Sequence, residues 1–269
     1  MPVFSSSTSL LRSVPVEAAA ARLAACGFMQ IEIFDGAKTD DWLDDPGRTA
    51  RALGTHGLSL RTVHLPVIGW EIDSPNEALR QVALKACVRA MRTAARLGAE
   101  IAICHPNGAH LAFHAHDYGA SWQRTRDSLA WLAEQAGSIG IKLAAENLPA
   151  HGTWRPGMYV RELLCMIDGL GEHVGICLDA GHSTCNGISP AIEALQAGSR
   201  LMALHIQDND GTGADQHLMP GDGVTDWGAF RSALEKLGFA GARTFEVGPG
   251  ACLDDTLQAL ASLRAAWSE

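Results

Sequence analysis

Six residues able to hold a metal or move a proton recur along the chain: His64, His105, Glu146, Asp179, His205 and Glu246. Each ends a short apolar run, as in Ile101-Ala-Ile-Cys-His105, Val174-Gly-Ile-Cys-Leu-Asp179 and Leu201-Met-Ala-Leu-His205. A lone histidine at such a place is more often a hydrogen-bonded structural residue than a ligand. If the runs are neighbouring strands of one closed parallel sheet, however, residues at their C-terminal ends converge on a single pocket. Three carboxylates brought together there repel unless a cation or protons neutralise them, so the convergence itself calls for a metal ion. Glu146, Asp179, His205 and Glu246 form the candidate ligand set. Three oxygen donors and one nitrogen suit manganese, cobalt, magnesium or zinc. His182, three residues past Asp179, and the pair Asp215 and His217 stand close enough in sequence to serve a second ion or a substrate.

The elements that must position these residues follow from periodicity. Short apolar runs bounded by turn residues alternate with longer stretches of helical period, the pattern of βα units around a parallel sheet. Strands are expected at Val3–Ser7, Met29–Phe34, Leu60–His64, Ile101–Cys104, Lys142–Ala145 with Glu146 at its exit, Val174–Leu178, Leu201–Ile206 and Arg243–Val247. Helices are expected over Val16–Cys26, Pro46–His56, Ser121–Gly140, Met158–Leu170, Pro190–Ala197, Trp227–Gly238 and Leu253–Trp267. The longest runs to Gly98, with Ser74 as its N-cap, Pro75 at its first position and Glu77 at its third. Eight such units make an α/β chain of the (β/α)8 TIM barrel class, a single domain spanning residues 1–269. An open doubly wound sheet normally carries a glycine-rich phosphate loop after its first strand, and none follows Ser7.

Bulk properties agree with this class. Hydrophobic residues make up 47% and charged residues 19% of the 269 residues, enough to build a large core and too apolar for disorder. The net charge of −9, with no basic stripe along the chain, argues against nucleic acid as a partner. The seven cysteines form no C-x-x-C pair and read as reduced residues of a cytoplasmic protein. No apolar run reaches the roughly 18 residues that span a bilayer, so no membrane association is expected. The serine-rich start, Met1 to Leu11, reads as a first barrel strand rather than a transit peptide.

Other features have plain readings. Tryptophans such as Trp70, Trp122 and Trp154 fit core packing as well as a pocket wall. His110, His114 and His116 fall in the loop after strand four, where a solvated polar loop is the simpler account. Pro220-Gly221-Asp222-Gly223 needs only to be a turn. Arg155, after strand five, is either a phosphate contact or a surface residue.

The segments Ala145-Glu146-Asn147, Cys177-Leu178-Asp179-Ala180-Gly181-His182, His205-Ile206-Gln207-Asp208-Asn209 and Asp215-Gln216-His217-Leu218-Met219-Pro220-Gly221-Asp222-Gly223 carry a resemblance. They are similar to the sugar isomerases and epimerases with a xylose isomerase-like TIM barrel, a superfamily that includes ketose 3-epimerases and endonuclease IV-type abasic-site nucleases. In the ketose 3-epimerases a Glu, an Asp, a His and a second Glu hold one metal ion; those positions match Glu146, Asp179, His205 and Glu246. The resemblance implies that Glu146 and Glu246 are also the acid and base, and that His182 contacts substrate. Two positions depart from that group: Gly152 stands where its substrate-contacting Glu would be, and Gly211 where its Arg would be. In the endonuclease branch nine ligands hold three zinc ions, and the matching positions are His64, His105, Glu146, Asp179, His182, His205, Asp215, His217 and Glu246.

The expected activity is thus that of a divalent-metal-dependent isomerase or epimerase of a sugar or sugar-like hydroxy-ketone. His64, His105, His182 and His217 are taken as substrate contacts, and the chemistry as proton transfer through an enediolate. A metal-dependent lyase, dehydratase or hydrolase on a sugar-like substrate is the alternative, with the nuclease behind it. The expected partner is a small-molecule sugar, with a homo-oligomer left open.

Overall fold

The apolar runs become eight parallel strands, hydrogen-bonded in chain order and closed into a barrel by pairing of the last with the first. The computed structural model describes residues 2–35, 42–67, 69, 71–108, 117–150 and 154–268. The order is β1 (Ser5–Ser7), α1 (Val16–Ala25), β2 (Gln30–Phe34), α2 (Pro46–His56), β3 (Ser59–His64), α3 (Glu77–Arg96), β4 (Ile101–Cys104) and α4 (Tyr118–Ile139). It continues with β5 (Lys142–Glu146), α5 (Val160–Met166), β6 (Val174–Asp179), α6 (Ala180–Cys185), α7 (Pro190–Ala197), β7 (Leu201–Ile206), α8 (Trp227–Lys236), β8 (Ala242–Phe245) and α9 (Leu253–Ser268).

Two apolar layers hold the ring together. The larger lies between strands and helices, where Ile31, Ile33, Val63, Leu143, Ile176 and Leu204 meet the buried faces of the helices. A smaller one fills the barrel interior with Ile101, Ile103, Ala144, Cys177, Ala203 and Ala242. Because successive strand residues alternate in direction, the inward-facing residue two places after each interior apolar one points to the same side. That step leads from Ala144 to Glu146, from Cys177 to Asp179 and from Ala203 to His205. It also leads from Ile103 to His105. On the side of β4 to β8 the barrel therefore has an apolar floor beneath a polar rim, and the pleat alone aims the ligand-type side chains into the rim. The ladder sets Asp179 level with His205, and Glu146 level with Cys177, one inward-facing step before Asp179 on β6.

Several helix starts differ from expectation for local reasons. Asn76, not Ser74, caps α3: its Oδ1 accepts from the amides of Ala78 and Leu79 at 3.0 and 3.3 Å, so the helix begins at Glu77. Ser74 Oγ instead accepts from Asn76 N at 3.3 Å. Ser121 lies inside α4, because its hydroxyl donates sideways to Asp73 Oδ2 at 2.6 Å rather than ending a helix. Helix α5 is shorter than its pattern: Glu162 reaches back to accept from the amides of Gly157 and Met158, which fixes the preceding loop outside the helix. Helix α6 has too few residues to show a period in sequence. Asp179 caps it, accepting from His182 N at 2.7 Å. Among the described residues no helix is long and apolar enough to cross a membrane.

Candidate metal centre and active site

At the C-terminal end of the barrel His64, His105, Glu146, Glu246, His182, Asp215 and His217 line one cleft of about 560 Å³, with Asp179 and His205 fully buried and grouped with Glu146 and Glu246. That size falls within the range of small-molecule sites. A hollow of about 610 Å³ lies near Arg61, Phe239 and Trp267, and none of the ligand-type clusters borders it. The innermost group is Glu146, Asp179, His205 and Glu246, whose donor atoms all lie within 4.8 Å of one another. All four are buried. His205 Nδ1 sits 2.8 Å from Glu146 Oε1 and 2.9 Å from Glu246 Oε2.

The two oxygens of Asp179 have separate tasks. Oδ1 accepts from His182 N at 2.7 Å and from Gln207 Nε2 at 3.1 Å. Oδ2 is buried and has no hydrogen-bond partner. Such an orphan is costly unless something positive faces it. The donor set together with this oxygen fits a divalent ion held by Glu146, Asp179, His205 and Glu246.

Glu146 links this group to a second. Its Oε2 lies 3.2 Å from both His64 Nε2 and His105 Nε2, and these three residues are a further cluster of metal-binding geometry. The third cluster is His182, Asp215 and His217, in which Asp215 Oδ2 stands 3.3 Å from the Nε2 of each histidine. His217 is the one non-glycine among the described residues with positive φ, at +50°. Such a conformation persists only when the surroundings over-determine it. Here Nδ1 donates to Glu246 O at 2.7 Å, and the His217 carbonyl accepts from Gly248 N at 2.8 Å. Charges balance across the rim. Burial works against protonated His182, but the carboxylates of Asp179 and Asp215 outweigh it and lift the ring to about 10. Burial likewise opposes the charge of His217, and Asp215 lifts it to about 9. Burial raises Asp179 to about 6 and lowers His105 to about 4. For Glu246 the neighbouring His205 overrides burial and holds the carboxyl at about 2. A divalent ion can take the place of such protons.

Residues not singled out from sequence build the frame. Asn147 ties β5 to β6, accepting from Asp179 N at 2.7 Å and donating to Asp179 O at 3.1 Å. Asp208 organises the loop that carries Asp215 and His217, accepting from Gly221 N, Thr225 N and the Trp227 indole. Gly221 and its neighbours are thus the turn expected of them, wrapped on a carboxylate. Glu32, on β2, reaches the pocket from below, with its Oε2 3.1 Å from His205 Nε2.

Arg155 is neither a surface residue nor on the cleft wall: it is buried, donating to Pro149 O at 2.9 Å and weakly to Asn107 and Gly108. Trp154 is exposed, while Trp122 packs on the core. All seven cysteines are free thiols. Trp70, His110, His114, His116 and Gly152 lie outside the described residues.

The profile of the xylose isomerase-like TIM barrel family matches residues 20–265. Curated relatives include an uncharacterized protein of Methanocaldococcus jannaschii, 27% identical over 65% of this chain and 66% of its own length. Another, from Mycobacterium leprae, is 26% identical over 59% of this chain and 60% of its own. The chain thus covers less than two thirds of the length of these relatives. Among solved structures, a D-tagatose 3-epimerase-like protein has a TM-score of 0.84 at 21% identity, covering 99% of this chain and 97% of its own. An L-ribulose 3-epimerase has 0.82 at 21%, covering 100% and 93%. A 3-keto-D-glucoside 4-epimerase from E. coli has 0.84 at 17%, covering 99% and 100%.

Proposed function

The chain belongs to the xylose isomerase-like TIM barrel family, and from that footing we propose that it is a divalent-metal-dependent isomerase or epimerase acting on a sugar or sugar-like hydroxy-ketone. The observation that carries this reading is the inner cluster: two glutamates on β5 and just past β8 flank His205, and Asp179 beside them offers an unpartnered oxygen. A divalent ion there supplies charge that stabilises an oxyanion developing next to the carbon that loses its proton. Glu146, Asp179, His205 and Glu246 would hold it.

The chain's own residues account for the rest. Glu146 and Glu246 approach the cleft from strands three apart on the ring, so that one carboxylate can take a proton from carbon and the other return one. Return to the opposite face of the same carbon gives an epimer; return to the adjacent carbon interconverts aldose and ketose. His64, His105, His182 and His217 present Nε2 atoms around the same cleft and would bind substrate hydroxyls. The test is a metal-supplemented screen of ketoses, aldoses, inososes and hydroxypyruvate in heavy water. Deuterium entering a product carbon supports the reading. Turnover with no exchange points to a lyase or hydrolase, and full activity without metal refutes the site.

A second reading rests on the other two clusters. His64, His105 and Glu146, and His182, Asp215 and His217, each have metal-binding geometry, which favours a hydrolase with up to three ions, of the abasic-site nuclease kind. The net charge of −9 weighs against DNA, since the release of counterions that drives DNA binding needs cationic contacts. Abasic-site DNA is therefore expected to remain uncut. Incision at low salt, abolished by His182→Ala or His217→Ala, would reverse the order of the two readings.

A further inference from the structure

The pocket histidines are held in two opposite ways. His64, His182 and His217 each spend Nδ1–H on a backbone carbonyl, of Leu65, Asn147 and Glu246 at 2.9, 2.8 and 2.7 Å, and each turns Nε2 toward the cleft. His205 is reversed: its Nδ1 faces Glu146 and Glu246, and its Nε2 points down at Glu32 Oε2, 3.1 Å away. Glu32 has no solvent exposure. Its Oε2 also accepts the Thr62 hydroxyl at 2.7 Å, and its Oε1 is buried without any partner. A shift of register between Ile31 and Glu32 brings Glu32 level with Thr62. A carboxylate in this position is expensive to bury, and Thr62 together with the His205 N–H is what compensates it.

We infer that Glu32 is a positioning residue for the metal centre: it holds the proton of His205 on Nε2 and so leaves the Nδ1 lone pair directed at the ion. If the proton moved to Nδ1, or the ring turned over, a hydrogen would stand where coordination must occur. A carboxylate behind a ligating imidazole also makes the ring a better donor than a backbone carbonyl does, and loss of such partners typically weakens metal binding about 10- to 100-fold. Glu32 acts only through His205, since Glu146, Asp179, His205 and Glu246 are the residues grouped around the ion site.

This inference rests on the metal reading above, and the test separates the two. Cobalt(II) and zinc(II) affinity is measured by chelator competition for the wild type, Glu32→Gln and Glu32→Ala, alongside the cobalt absorption spectrum. The expected result is a drop of about 10-fold for the isosteric amide and up to about 100-fold for alanine, with a shifted cobalt spectrum. Nitrogen NMR of the zinc-loaded wild type, assigned through His205→Gln, should show the metal on Nδ1 and the proton on Nε2. A folded Glu32→Gln protein with an unchanged competition curve and spectrum overturns the role of Glu32 alone, as does NMR placing the metal on Nε2 of His205. A wild type that binds neither ion overturns the metal reading and this inference together.

Discussion

The inner and outer parts of the pocket are built on different kinds of backbone. Glu146, Asp179 and His205 stand on strands β5, β6 and β7, and Glu246 directly follows β8, so the parallel ladder fixes their spacing before any side chain makes a contact. His182, Asp215 and His217 belong to a six-residue helix and a loop, with side chains 4, 15 and 30% exposed. What the ladder does for the inner set, Asp208, Gln207 and a left-handed His217 must do for the outer one. The inner set is preset by the strands, as groups that must keep one geometry need to be. The outer set hangs on hydrogen bonds of a loop, where a family can change substrate or ion number without disturbing the ring.

The largest effect is expected at Asp179. Asp179→Ala removes a buried carboxylate proposed as a ligand and the cap of α6 together, so metal content after gel filtration should fall to near zero, with turnover lost. Stoichiometric metal in that variant would show that the inner cluster does not hold the ion. In the same assay on the wild type, about one ion per chain fits an inner site alone, whereas three would enlist the outer cluster.

Next in size are the glutamates. Glu146→Gln and Glu246→Gln keep an oxygen donor but remove the base, and turnover should fall about 100-fold or more. Under epimerisation each variant should retain solvent deuterium exchange for the one epimer whose proton faces its surviving glutamate. Near-wild-type rates in both would refute the assignment. Outer-cluster changes should do less. His217→Ala is expected to raise KM about 10-fold with kcat within a few-fold, the pattern of lost substrate binding. A kcat loss as large as that of the glutamates would erase the distinction between the two sets.

Much of this contrast was legible in the sequence. The ring follows from short apolar runs alternating with stretches of helical period, and its polar rim from Glu146, Asp179 and His205 at the ends of those runs, because strand ends in a closed parallel ring meet at one pocket. Glu32 was hidden by the same rule. Gln30-Ile31-Glu32-Ile33 reads as a half-buried strand with a polar face turned to solvent, but in a closed ring that face turns inward. The register shift beside it leaves no mark in composition. The cap on α3 was misplaced because Ser74 and Asn76 are both good caps, and only the chain path decides between them. The frame residues Asn147, Gln207 and Asp208 act across loops, and contacts of that range have no sequence period.

The smallest expected effect concerns pH, and it tests the outer cluster most directly. A histidine in an unfolded chain titrates near 6.5. In the folded chain burial opposes protonation, but Asp179 and Asp215 prevail at His182 and Asp215 at His217, which move to about 10 and about 9. Between pH 6.5 and these values the folded form holds protons that the unfolded form has released. Linkage then makes the stability of the metal-free protein fall as pH rises through that window, and the contribution is fully present only below about 6.5. Ion binding runs the other way. It needs neutral imidazoles or, at a distance, repels their protons, so the affinity gains as pH rises. The gap in Tm between manganese-loaded and chelated protein should therefore widen steadily from pH 6.5 to 8.5, as read by scanning calorimetry. In His217→Gln the metal-free slope should flatten while the inner site still binds. A gap that stays constant with pH would mean that the outer histidines are not protonated against Asp215, and the charge balance assigned to the rim would fail there.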